Sequence, residues 1–136
     1  MTSGTGALIS NFMAVGLHRL PNPTTATPLS EWRNGIASSA YSLDKLESIF
    51  HARPPYLNRF YCTYRIPLDL SDDELYGGHA VFNAAVKSLD ANGWNTKNKI
   101  YTNTWSRARC YLAPIWEDIL ERSLGVDAAF SCTDIE

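Results

Sequence analysis

Thr27-PLSEWRNGIASSAYSLDKLESIFHARP-Pro55 is the stretch on which the reading of the fold turns. Thr27 suits a helix N-cap, and Pro28 suits the first helical position, where a missing amide hydrogen breaks no bond. Leu29, Trp32, Ile36, Leu43, Leu46 and Phe50 follow in steps of three, four, seven, three and four, the spacing of one helix face. Glu31, Arg33, Asp44, Lys45 and Glu47 occupy polar positions between them. The pattern predicts a helix to about His51 with its apolar face inward. Gly35 costs about 1 kcal/mol relative to alanine inside a helix, and is expected to admit a close neighbouring backbone. Arg53-Pro54-Pro55 ends the helix, because the residue before a proline avoids the α region. With Trp32 inside, Trp32→Ala should cost about 3–5 kcal/mol.

On the N-terminal side, Leu8, Phe12, Val15 and Leu17 give Ala7 to Arg19 a roughly helical period. The Pro, Asn and Thr residues from Leu20 to Thr27 read as a loop. On the other side, Tyr56 to Leu70 has no sustained period and is rich in aromatics, which predicts an extended, ordered loop across a helical body, with room for a short strand. Ser71-Asp72-Asp73-Glu74 is a capping box that opens a helix. That helix is interrupted at Gly77-Gly78, resumes through Ala80 to Leu89, and closes at Asp90-Ala91-Asn92-Gly93.

The last helix is expected from about Thr104 to Leu124, capped by Thr102, Asn103 or Thr104. Its inner face would be Trp105, Ala108, Leu112, Ile115 or Trp116, Ile119 and Ser123 or Leu124. Asp118 and Arg122 are spaced for an ion pair, Pro114 should kink the helix, and Gly125 should stop it. The expected fold is all-α, an irregular helical bundle with a long ordered aromatic loop between the second and third main helices. It would span residues 1–125, with a loose tail over 126–136.

A hydrophobic fraction of 45 % and a charged fraction of 19 % in 136 residues suit one folded domain. Trp32, Trp94, Trp105 and Trp116 favour burial against something. The net charge of −2 and the absence of a basic stripe argue against direct nucleic-acid binding. No apolar run is long enough for a membrane span, and the N-terminus lacks signal-peptide character. Cys62, Cys110 and Cys132 are odd in number and widely spaced, which fits a reducing, intracellular compartment better than a disulfide framework.

His18, His51 and His79 form no metal-binding spacing. Capping accounts for most of the acidic cluster Asp69, Asp72, Asp73 and Glu74. Nucleophile-elbow, Walker A and dinucleotide-binding motifs are absent, and neither Cys62 nor Cys110 has an adjacent histidine partner in sequence. The expectation is no enzyme, no cofactor and no metal site. Arg53 is read as a structural arginine that bonds terminal carbonyls or pairs with an acid. Arg107 and Arg109 are read as solvated or stacked, Arg109 lying four residues after Trp105.

Several elements in fixed order resemble one family. They are Gly16-Leu17-His18-Arg19, Glu31-Trp32-Arg33 with Ala40-Tyr41-Ser42-Leu43-Asp44-Lys45, Arg53-Pro54-Pro55, Arg59-Phe60-Tyr61-Cys62, and Pro67-Leu68-Asp69-Leu70-Ser71-Asp72-Asp73-Glu74-Leu75. Together they are similar to the middle regulatory region of fungal zinc-cluster transcription factors, the fungal-specific transcription factor domain, over Phe12 to Leu124. Three departures stand out: the family's arginine triplet is Arg33-Asn34-Gly35, its glycine before Arg53 is Ala52, and its six clustered cysteines are missing.

The resemblance implies an all-α regulatory piece acting in the nucleus through protein partners, through the remaining part of the regulatory domain, or through a small-molecule effector. DNA would be reached only through a zinc-cluster module outside this chain. The chain would be the C-terminal part of that longer region, with apolar faces left exposed where further helices belong. The alternative is a stand-alone helical ligand-binding or protein-interaction module.

Overall fold

The computed structural model describes residues 4–19, 21 and 24–125 and is all-α. Five helices follow one another: α1 (Gly4–Ala14), α2 (Pro28–His51), α3 (Asp72–Tyr76), α4 (His79–Ser88) and α5 (Thr102–Leu124), with a 3-10 turn at Arg59–Tyr61. The tail expected over 126–136, with Cys132, lies outside the described residues.

The helix boundaries follow local chemistry. Thr27 Oγ1 accepts from the Ser30 amide at 3.1 Å and Ser30 Oγ accepts from the Thr27 amide at 2.9 Å, closing a capping box ahead of α2. Ala52 ends α2 in the left-handed region at φ 47°, a conformation that an alanine adopts only under strain. Ser71 and Glu74 form the expected box before α3. Gly78, at φ 96°, breaks the chain between α3 and α4 where a side chain would be disfavoured. The start of α5 is one cap earlier than expected: Tyr101 precedes it, and its amide donates to Thr104 Oγ1 at 2.9 Å. Pro114 sits inside the continuous α5, and Gly125 caps it by donating to the Glu121 carbonyl at 2.9 Å. The first helix begins and ends earlier than its pattern suggested, and residues 15–18 form turns instead.

α2 packs along α5, α1 lies against α2, and α3 packs on α4. Two apolar clusters result. One joins Ile9 and Phe12 of α1, Ala37, Ala40 and Tyr41 of α2, Leu57, and Ala113 of α5. The other joins Leu70, Leu75, Phe82 and Ala85. In the first, three of the seven members are alanines, so the long helices approach closely over little apolar volume.

Most of the apolar positions expected inside the two long helices face outward instead; Ile36 and Trp116 are the exceptions and pack against the first cluster. Leu29, Trp32, Leu43 and Phe50 are 54 %, 50 %, 39 % and 77 % exposed, with Ile36 and Leu46 intermediate. The buried positions of α2 include Glu31, Asn34, Ser38, Asp44, Lys45 and Ser48. α5 behaves alike: Trp105, Leu112, Ile115 and Ile119 are exposed, while Arg107, Cys110, Ala113, Glu117 and Leu120 are buried. The cause lies in what the inner faces hold. Residues 53–71, between α2 and α3, contain one 3-10 turn and a single bridge pairing Arg19 with Thr63, so their amides need acceptors from elsewhere. Polar side chains of α2 and α5 supply them.

Gly35 admits no neighbouring backbone; the space beyond its Cα is open. Trp32, half exposed, loses its assignment to the core, and the large Trp32→Ala cost expected from the sequence goes with it.

Candidate functional site

Asp44 is fully buried and is the centre of a charged seam between α2 and α5. Its Oδ1 accepts from the Tyr56 amide at 3.0 Å, and its Oδ2 accepts from the Leu57 amide at 2.8 Å and from Lys45 Nζ at 3.0 Å. Lys45, also fully buried, donates a second, short bond to the Leu57 carbonyl and lies 4.2 Å over the Tyr41 ring. Glu117 approaches from α5, 3.7 Å from Lys45 Nζ, accepting the Tyr41 hydroxyl at 2.6 Å and the Arg59 amide at 3.2 Å. Arg59 then reaches out to Asp118 at 2.7 Å. That bond corrects the expected Asp118–Arg122 pair.

Further along α2, Asn34 Oδ1 accepts the Arg65 amide at 3.1 Å and Glu31 Oε2 accepts the Leu68 amide at 2.8 Å. Arg107 of α5 is buried rather than solvated, bonding the Pro67 carbonyl, donating to the Asn92 carbonyl at 2.7 Å, and stacking 4.4 Å over Trp94. The stacking suggested for Arg109 therefore belongs to Arg107; Arg109 itself is exposed. Arg53 does what its position implied, donating to Ser48 Oγ and the Pro54 carbonyl, 3.8 Å from Asp44 and stacked on Tyr56.

Electrostatics follows from burial. Desolvation, then the hydrogen bond to Glu117, pushes the Tyr41 phenol far above its usual range. Burial does the same to Tyr64. It also raises the thiols of Cys62 and Cys110 above their usual value. Glu31 is raised by burial, and the Leu68 amide and the charges of Arg65 and Arg107 pull it partly back.

The histidines stay apart in role. His18 lies 6.4 Å from Phe12, His51 faces Glu47 at 3.4 Å, and His79 opens α4. Among the described residues, no group of three or more His, Cys, Asp or Glu side chains is placed to hold a metal. Asp72 and Asp73 sit in the first turn of α3 with Glu74, while Asp69 is buried and accepts from the Asn95 amide at 3.0 Å and Thr104 Oγ1 at 2.6 Å.

What the seam leaves outside is apolar and regular. With Ser39 included, positions 29, 32, 36, 39, 43, 46 and 50 of α2 alternate steps of three and four without a break. On α5, Trp105, Ala108, Leu112, Ile115 and Ile119 do the same. This is the repeat by which one helix packs into another.

The first half of the α2 stripe is not open surface but the floor of a cleft of about 580 Å³. Leu8, Phe12 and Val15 wall it on the α1 side, and Leu75 and Tyr76 of α3 on the other. Both the buried seam and the cleft escape a periodicity reading, although most of the seam's charged residues lie within the family-like elements.

Compared with family models, curated proteins and solved structures, the chain matches none. Among the described residues no helix is long and apolar enough to cross a membrane.

Proposed function

We propose that this chain is a helical docking module, a regulatory-domain piece of a fungal transcription factor that acts in the nucleus through protein contacts. One observation carries the docking half of the reading: α5 presents the stripe Trp105–Ala108–Leu112–Ile115–Ile119 outward while its charged residues Arg107 and Glu117 are buried. An exposed stripe of that length and spacing is a surface for another helix. The transcriptional half rests on the resemblance, whose elements supply Tyr41, Asp44, Lys45, Arg53 and Arg59 to one connected network. DNA is then reached through a zinc-cluster module elsewhere, not through these residues. A stand-alone ligand-binding module is the second reading, and the cleft on α2 is what favours it.

The test is a reporter assay in fungal cells with the chain fused to an unrelated DNA-binding module. The fusion should change transcription several-fold, and Leu112→Glu combined with Ile119→Glu should abolish the change while leaving the protein level intact. Output identical to that of the DNA-binding module alone would contradict the transcriptional reading.

A further inference from the structure

The cleft above α2 is chemically one-sided. Its apolar walls come from three helices, with the aromatic residues Phe12, Trp32 and Tyr76 among those that line it. Its charged members are the carboxylates Glu31 and Asp72; among the described residues no lysine, arginine or histidine lines it. Asn11, Ser39, Asn103 and Ser106 add neutral polar groups. Its volume of about 580 Å³ lies within the range of small-molecule sites. A helix lying along α2 would need the groove open along its length, but α1 and α3 stand on either side of it. Gly35 forms part of the floor, and a Cβ built there meets nothing within 4 Å.

We infer that this cleft binds a mainly apolar organic amine, its hydrocarbon body between Phe12, Trp32 and Tyr76 and its ammonium group directed to the carboxylates of Glu31 and Asp72. Aromatic faces attract a cation through their quadrupole, and the carboxylates add Coulombic attraction, Glu31 from a buried position and Asp72 from an exposed one. An anionic ligand of the same size meets two carboxylates and no cation among the lining residues. Arg65 and Arg107 offset part of the Glu31 charge, so the preference draws on both carboxylates. This site is separate from the outward stripe of α5, so either can fail without the other.

Three probes with one carbon skeleton test it at pH 7: 4-phenylbutylamine, 4-phenylbutan-1-ol and 4-phenylbutyrate. The readout is the indole N–H resonance of Trp32 in the full chain, identified by its disappearance in Trp32→Phe. The amine should shift it saturably at several-fold lower concentration than the alcohol, and the carboxylate should be weakest. Gly35→Leu should fill the floor and abolish saturation while circular dichroism shows unchanged helicity, since leucine is the better helix former. Asp72→Asn and Glu31→Gln should each bring the amine down toward the alcohol. No saturable shift with any probe, carboxylate binding equal to amine binding, or amine binding that survives in a folded Gly35→Leu chain would each overturn the proposal. If Gly35→Leu does not fold, retention of the full amine preference in both carboxylate variants overturns it equally.

Discussion

The α2–α5 seam and the α3–α4 cluster hold the same small molecule together by opposite means. In the seam, Asp44, Lys45, Glu117 and Tyr41 are buried and bonded to one another and to the backbone of residues 56–59. In the cluster, Leu70, Leu75, Phe82 and Ala85 bury apolar surface only. The difference follows from the partner each must satisfy. A helix packed on a helix offers no unpaired amides, whereas an irregular segment packed on a helix offers many, and buried amides without acceptors are costly. The seam therefore has geometry-dependent strength, and the cluster has volume-dependent strength.

Substitutions should separate the two. Asp44→Ala removes one partner of the buried Lys45 and strands two amides at once, and should cost about 3–5 kcal/mol in denaturant unfolding. Phe82→Ala should cost about 3 kcal/mol by leaving a cavity. The sharper contrast lies in conservative changes. Phe82→Leu keeps an apolar side chain and should cost no more than about 1.5 kcal/mol, whereas the isosteric Asp44→Asn removes the charge facing Lys45 and should cost about 2–3 kcal/mol. Equal tolerance of both conservative changes would erase the distinction between the regions.

An alkaline titration probes the seam without mutation. The phenols of Tyr41 and Tyr64 have folded-state values raised above the unfolded value near 10. Their contribution to stability is therefore complete below about pH 10 and declines above it, as the unfolded chain ionises and the folded one resists. Of seven tyrosines, these two should ionise only as the chain unfolds, and Tyr41→Phe should remove one lagging signal. All seven ionising together below the unfolding transition would contradict their burial. Smaller still, Ala52→Gly should stabilise by about 1 kcal/mol, because it relieves the left-handed cap that ends α2. Trp32→Ala, by contrast, should cost less than about 1 kcal/mol.

Which parts of this were legible in the sequence depends on whether the signal was local. Thr27-Pro28, Ser71 to Glu74, Gly77-Gly78 and Arg53-Pro54-Pro55 mark element ends through bonds within a few residues, and the helices begin or end at them. The inward face was not legible. Leu29, Trp32, Ile36, Leu43, Leu46 and Phe50 are an apolar stripe whether they face a core or an absent partner, and the spacing alone does not distinguish the two. Asp44 marks only a polar position in the sequence and Glu117 carries no signal there, since the groups they satisfy come from another part of the chain. The cleft was invisible for a related reason: α1, α2 and α3 are brought together only in the folded chain, and Gly35 read as a packing glycine rather than as open floor.

The most direct test of the inverted packing is thermal unfolding, with sedimentation velocity, of the chain carrying Leu112→Glu and Ile119→Glu. Two carboxylates on a face that points outward should leave the melting temperature within a few degrees of the unsubstituted chain, and the sedimentation coefficient should stay that of a folded chain. A chain that loses its cooperative transition would show that this face is core, and the charged seam would no longer explain the fold.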